Sequence, residues 1–173
     1  QIYRILRAYK NRFGPTSEIG IFEMKADGLR EVENPSLIFL SENSNTVAGN
    51  VVTSSIEGTR PLLIEIQSLV ARTNFGLPRR MVSGYDLNRV IIIIAVLEKR
   101  IGIPLDNQDV FINVVGGIKI KETASDLAIA CAIACANNGT VCPPKTIIFG
   151  EVGLAGEVRL RKWNAVIDTM GRE

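Results

Sequence analysis

Stretches with strand character alternate in this chain with two apolar stretches that are long enough for helices. Residues 47–56 and 62–70 are rich in β-branched side chains and flank a short Gly- and Pro-containing turn, which predicts a hairpin. Residues 86–100 and 125–136 have the length of helices. Strands interspersed with helices indicate a mixed α/β sheet of the α+β kind.

The first helix-length stretch carries conflicting signals. Residues 90–94 are all Val or Ile, which favours a strand. However, Asp86 stands where an N-cap would, and Gly102 follows two cations at the far end. The boundary residues and the length predict a buried helix over residues 86–100.

The second helix-length stretch is rich in alanine and has its own boundary residues. Thr123 or Ser125 is suited to cap its start, and Gly139 is suited to end it. We expect further strands at residues 18–24 and 110–115, and short strands after Gly117 and at residues 146–149.

Composition excludes several classes of site. The chain has 173 residues and a net charge of +2, with three Cys and no His. Without His, Ser–His or Cys–His catalysis is ruled out, so any nucleophile would be a Ser or Thr assisted by Lys or a carboxylate. The thiols are read as small core residues, and no metal site is expected. No apolar run approaches the roughly 20 residues of a membrane span, and no membrane contact is expected.

The start of the chain is exclusively basic among its charged residues. Residues 1–12 contain Arg4, Arg7, Lys10 and Arg12 and no acidic residue. We expect this extended or partly helical segment to face phosphates or another subunit rather than its own core. There is no P-loop motif, so the chain has no nucleotide cradle of that type.

A series of short segments runs along nearly the whole chain: YRILR at 3–7, KNRFG at 10–14, EIGIFEM at 18–24, NPS at 34–36, EGTRP at 57–61, NR at 88–89, LEKR at 97–100, DNQDVF at 106–111, NVVGG at 113–117 and FGEVGLAGEVR at 149–159. In these segments, taken in this order, the chain resembles the RadA (Sms) family of recombination proteins.

The resemblance implies a fold and a domain arrangement. Residues 1–17 would be a linker from the end of a RecA-like ATPase. Residues 18–173 would form a Lon-protease-like domain, similar to domain 2 of ribosomal protein S5 and truncated at its C-terminal end. The chain is thus expected to be a fragment of a longer protein.

The resemblance also implies a function. The family is a hexameric, DNA-dependent ATPase and helicase that promotes branch migration in homologous recombination and DNA repair. It acts on single-stranded and branched DNA alongside a RecA-type recombinase. ATP with magnesium in the motor and zinc in an N-terminal finger would be bound outside these residues. A bacterial cytoplasm is the expected location, or an organelle if the source is a plant.

A role for the KNRFG motif also comes from the resemblance. In RecA-like rings ATP lies between subunits, and a cation from a neighbour stabilises the charge that develops on the γ-phosphate. Lys10 and Arg12 would supply that cation, on either side of Asn11. Phe13 would be a packing anchor and Gly14 would permit a turn. The alternative is a solvated basic linker.

A Lon-like fold raises the question of peptidase activity. Ser125 stands where a Lon nucleophile would, just before the Ala-rich helix, and Lys162 is the lysine nearest to the position of the base. The flanking residues differ from a Lon active site, and Asp126 would hold a nearby lysine charged. Ser125 is therefore read as a helix N-cap and a vestigial serine, with an active Ser/Lys peptidase as the alternative.

Basic residues between positions 72 and 100 suggest DNA binding. If they share one side, they would follow the phosphate backbone without reading sequence, and Lys119 and Lys121 could extend the track. The alternatives are dispersed solubilising charge and a domain that only joins subunits. The predicted DNA-contacting residues are Arg79, Arg80, Arg89, Lys99 and Arg100.

Overall fold

A small antiparallel sheet is built from the first part of the chain. The computed structural model describes residues 2–13, 16, 19–32, 46–57, 60–74 and 76–160. Strand β1 (Ile2–Arg7) pairs with β2 (Ile19–Lys25), which pairs with β3 (Gly28–Glu31). The basic segment is thus extended up to residue 7, and the strand predicted at residues 18–24 is confirmed.

The described residues form a main sheet of four strands in the order β4-β5-β7-β6. Strands β4 (Asn50–Glu57) and β5 (Arg60–Arg72) form the predicted hairpin. Strand β7 (Gln108–Val114) is antiparallel to β5 and parallel to β6 (Arg80–Ser83). The α+β prediction, with a mixed sheet, is confirmed.

Helix α1 (Leu87–Val96) connects β6 to β7, and the helix prediction is confirmed. The Asp86 carboxylate accepts a hydrogen bond of 2.8 Å from the Arg89 amide, which caps the first turn. A π-helical turn (Leu97–Ile101) continues the helix, and Gly102 ends it in the left-handed conformation, with φ 78°. Burial of one helix face therefore prevails over the β propensity of the Val and Ile residues.

Helix α2 (Asp126–Asn138) packs on β4 and β5, and on α1. Gly139 ends it with φ 64°, as predicted. Its buried residues complete a core with the inward side chains of the main sheet, such as Ile64, Ile66 and Ile112. Within the described ranges, no helix has both the length and the apolar character needed to cross a bilayer.

Two strand predictions are wrong. Residues 118–121 alternate between buried Ile and exposed Lys but form no strand. Among the backbone groups of the described residues, the Ile120 amide alone links this segment to a neighbour, the Gly84 carbonyl, at 2.9 Å. Residues 146–149 contribute one isolated bridge, between Ile147 and Val52. The chain then forms a small hairpin of β8 (Glu151–Val152) and β9 (Val158–Arg159).

Candidate functional site

The β6-α1-β7 unit separates the five predicted DNA-contacting residues. Arg79 and Arg80 lie at the start of β6, and Lys99 and Arg100 lie in the turn that ends α1, at the same end of the unit. Arg89 lies in the first turn of α1, at the opposite end. A ten-residue helix separates the two ends by about 15 Å, so Arg89 is not part of the group formed by the other four.

Arg79 forms an ion pair with the buried carboxylate of Asp109. Its guanidinium donates to Asp109 at 2.9 Å (Nε) and 2.5 Å (Nη2), and its backbone amide donates at 2.8 Å. Thr73 donates a further hydrogen bond of 2.8 Å to the same carboxylate. The guanidinium also lies 5.7 Å from the centre of the Phe111 ring. Asp109 therefore largely neutralises Arg79, although the Arg79 side chain is 68% exposed.

The other cations at this end have no acidic partner among the described residues. Arg80 begins β6 and donates to the carbonyls of Gln108 and Leu105. Arg100 turns back and donates to the Leu154 carbonyl at 3.3 Å. Lys99 is exposed. Arg72 at the end of β5 is exposed beside the start of β7 and joins this group.

We name the end that carries Arg72, Arg79, Arg80, Lys99 and Arg100 the basic end. Three carboxylates lie in the same part of the unit: Asp109, Glu98 and Asp106. Five cations against three acids leave a modest positive excess, which favours weak, salt-dependent binding of phosphates.

The Asp109 carboxylate should make stability depend on pH in acid. Hydrogen bonds from Arg79 lower its pKa to about 2. A depressed native pKa contributes stability above the unfolded pKa of about 4, and this contribution is lost as the pH falls toward 2. We expect the gap in melting temperature between the wild type and Asp109→Asn to shrink over that interval. A gap that stays constant between these pH values would contradict the assignment.

A second, more deeply buried network joins the other end of α1 to α2. The Asp126 side chain is fully buried and accepts hydrogen bonds from Arg89 Nε at 2.9 Å and Tyr85 at 2.8 Å. Arg89 Nη2 donates to the second carboxylate oxygen, as does the Val152 amide at 3.1 Å. Arg89 Nη2 also donates to the Val152 carbonyl at 2.8 Å. The network ties both helices to β8.

Electrostatics keep Tyr85 and Arg89 protonated in this network. Burial raises the pKa of Tyr85 well above its usual range, and the neighbouring Asp126 carboxylate adds to this effect. The hydrogen bond to Asp126 raises the pKa of Arg89. Arg89 therefore links α1 to α2 through its ion pair with Asp126, and this pair engages its guanidinium in the isolated chain. Tyr85 could not be predicted from the sequence as part of this network, because it lies 41 residues from Asp126 and no motif connects the two residues.

A cleft of about 630 Å³ opens beside this network. Val82, Gly84, Tyr85, Asp86 and Arg89 line it on the side of β6 and α1, and Lys119 to Lys121 with Thr123 line the other side. The two lysines are exposed and have no acidic partner within the part of the chain that the structure describes. The cleft thus combines apolar walls with two available ammonium groups.

Ser125 occupies the N-cap position of α2, as predicted, but its side chain accepts no capping hydrogen bond, so the predicted capping contact is wrong. It ends a 3-10 turn (Thr123–Ser125), and the helix start is instead joined to Gly150, whose carbonyl accepts from the Leu127 amide at 2.9 Å. Ser125 is fully buried, and its Oγ has no hydrogen-bond partner among the described residues. A nucleophile needs a base in contact, and Lys162 lies outside the described residues.

Replacing Ser125 discriminates between the interpretations of this residue. An unsatisfied buried hydroxyl costs about 1–3 kcal/mol, so Ser125→Ala should leave the free energy of unfolding unchanged or raise it by about 1 kcal/mol. Chemical denaturation would measure this. A loss of about 1 kcal/mol would instead support the capping role, and loss of a cleavage activity would support the peptidase.

The KNRFG motif projects from the end of the small sheet. Lys10 and Arg12 are exposed and have no acidic partner in the described part of the chain. The Phe13 ring is 99% exposed, so it does not act as a packing anchor among the described residues. The Asn11 side chain accepts a hydrogen bond of 3.0 Å from the Phe13 amide. Gly14 lies outside the described residues.

Comparison with known proteins assigns the chain to a family. It is 55% identical over 157 residues to the DNA repair protein RadA of Halalkalibacterium halodurans, 57% to that of Bacillus subtilis and 51% to that of Brucella abortus. Each match covers 91% of this chain and 34% of the relative, so the chain spans about a third of the length of the curated relatives it matches. No model of a known protein family matches it. The chain therefore belongs to the RadA family of DNA repair proteins.

Proposed function

We propose that this chain is the C-terminal scaffold and DNA-binding module of a RadA-type DNA-dependent ATPase and helicase. The whole protein would promote branch migration in homologous recombination and repair, as a homo-hexamer working with a RecA-type recombinase in a bacterial cytoplasm. The similarity to RadA over 91% of the chain is the observation that supports this assignment. Within it, residues 18–173 would form a Lon-protease-like domain that serves as a scaffold.

The ATPase role assigned to this chain rests on the KNRFG motif. ATP and magnesium would be held by the motor, and zinc by an N-terminal finger, both outside this chain. Lys10 and Arg12 are exposed and lack ion pairs among the described residues, which fits side chains that contact the phosphates of a nucleotide on a neighbouring subunit. Exposure of Phe13 fits a residue that packs against that neighbour.

We propose the basic end as the DNA-contacting surface of the module. Its cations come from β5, β6 and α1, so a phosphate backbone would meet three elements of a rigid unit. The nearby aromatic ring, Phe111, is engaged by Arg79, which favours contacts with the DNA backbone over base stacking. Arg89 is excluded from this surface because it holds Asp126.

The experiment that tests DNA binding measures fluorescence anisotropy of a labelled single strand of about 20 nucleotides. Affinity should fall between about 50 and 200 mM salt. The double variant Arg72→Gln/Lys99→Gln should weaken binding about tenfold, because each lost phosphate contact costs affinity. Neither residue has an ion pair in the described ranges, so the fold should be retained, unlike in variants of Arg79.

The matched control is Lys119→Gln/Lys121→Gln, which removes the same charge at the opposite end of α1. Equal weakening by both pairs would show that only total charge matters. An absence of binding at both salt concentrations would leave the chain as an assembly scaffold that delivers Lys10 and Arg12 to a neighbour.

A further inference from the structure

We propose that the cleft beside Asp126 is a docking site for an extended acidic peptide of a partner protein, which adds as a strand to the free edge of β6. The proposal concerns the end of α1 opposite to the basic end and does not rest on DNA binding. Three observations carry it: an unpaired strand edge, an adjoining cleft and two available cations.

The first observation is the edge itself. Among the described strands, β6 is outermost in the sheet and pairs only with β7. The Val110 amide bonds to the Arg79 carbonyl at 2.9 Å. Because backbone groups alternate sides along a strand, Arg80 and Val82 direct theirs away from β7. Within the described ranges these outward groups have no backbone partner, and unpaired edges readily accept another strand.

The second observation is that the cleft continues this edge. Gly84 is the next residue whose backbone groups point away from β7, and its carbonyl accepts a hydrogen bond of 2.9 Å from the Ile120 amide. The segment around Ile120 therefore closes one end of the groove, while Val82 lines it. A peptide strand beside Val82 would place alternate side chains in a cavity of about 630 Å³, which is large enough for several of them.

The third observation is charge. Ile118 and Ile120 are buried, so Lys119 and Lys121 project together on the opposite side of the extended segment. The acidic side chains at the cleft already accept hydrogen bonds within the chain: Asp126 accepts from donors on α1 and β8, and Asp86 caps α1. Two ammonium groups with this alternate spacing match the carboxylates on one face of an extended acidic peptide.

The test uses a fluorescein-labelled Thr-Glu repeat of about ten residues, titrated with the chain at low salt. We expect saturable binding that weakens at least tenfold in Lys119→Gln/Lys121→Gln and remains within twofold in Arg72→Gln/Lys99→Gln. A Thr-Lys repeat of equal length should not bind.

A second probe distinguishes strand addition from simple ion pairing. The same Thr-Glu peptide with alternate backbone nitrogens methylated keeps its charge but cannot donate hydrogen bonds along one edge. Two peptides are measured, one methylated at the Thr nitrogens and the other at the Glu nitrogens. One of them should bind at least tenfold more weakly than the unmethylated peptide. Amide resonances of Arg80 and Val82 should shift with the unmethylated peptide.

Three results would overturn the proposal. They are absence of saturable binding by the unmethylated peptide, equal binding of both methylated peptides, and unshifted Arg80 and Val82 resonances at saturation. A different pair of results would assign the cleft to nucleic acid instead: single-stranded DNA displaces the peptide, and DNA affinity is lost in the Lys119/Lys121 variant alone. Retained melting temperatures in both lysine and control variants ensure that the comparison reports binding.

Discussion

Asp126→Asn should destabilise the protein by about 3 kcal/mol, because breaking a buried ion pair leaves its partner charge uncompensated. The substitution keeps the size of the side chain but replaces a carboxylate that accepts from Arg89, Tyr85 and the Val152 amide. The Arg89 side chain is only 24% exposed, so water restores little of the lost interaction. For a chain of this size the melting temperature should fall by about 6–12 °C.

The control is Asp106→Asn, whose carboxylate is exposed and bonds only to the adjacent Asn107 in the described part of the chain. It should change stability by less than about 0.5 kcal/mol. A double-mutant cycle of Asp126→Asn with Arg89→Met should give a combined loss smaller than the sum of the two single losses. A melting temperature of Asp126→Asn equal to that of the wild type would contradict the structural role given to the pair.

Gly84→Ala should cost about 2–5 kcal/mol, since it combines a strained backbone with a steric clash. Gly84 has φ 85°, which disfavours a side chain. An added Cβ would lie 2.5 Å from Val114 Cβ and 2.7 Å from the Ile118 carbonyl oxygen. The carbonyl belongs to the backbone of the segment that closes the cleft, so it can move only by displacing that segment.

Gly117→Ala separates the two causes. Gly117 has φ 70°, but an added Cβ would meet nothing within 4 Å among the described residues. Its cost should be only the conformational one, about 1–2 kcal/mol. Chemical denaturation of both variants would measure the difference. Equal losses would mean that the clash at Gly84 is relieved without cost.

Local signals along the sequence predicted the secondary structure wherever they were reinforced by burial. Asp86 and Gly102 bound a helix whose Val and Ile residues alone favour a strand, and the helix forms because one face of it is buried against the sheet. The β4-β5 hairpin followed from β-branched residues on both sides of a turn. The strand predicted for Lys119 and Lys121 does not form. The alternation of buried and exposed side chains shows only which side of the segment is buried, whereas a strand also needs a hydrogen-bonded neighbour.

The sequence by itself determined the family and the candidate cations, since motifs and charges are properties of the chain alone. Only the tertiary structure decided which cations are available. The β6-α1-β7 crossover places Arg79 and Arg80 at one end, beside Asp109, and Arg89 at the other end. Packing of α2 on α1 then brings Asp126 against Arg89. A charge is free or neutralised according to its neighbours in space, and residues 37 apart in sequence become neighbours only when the chain folds.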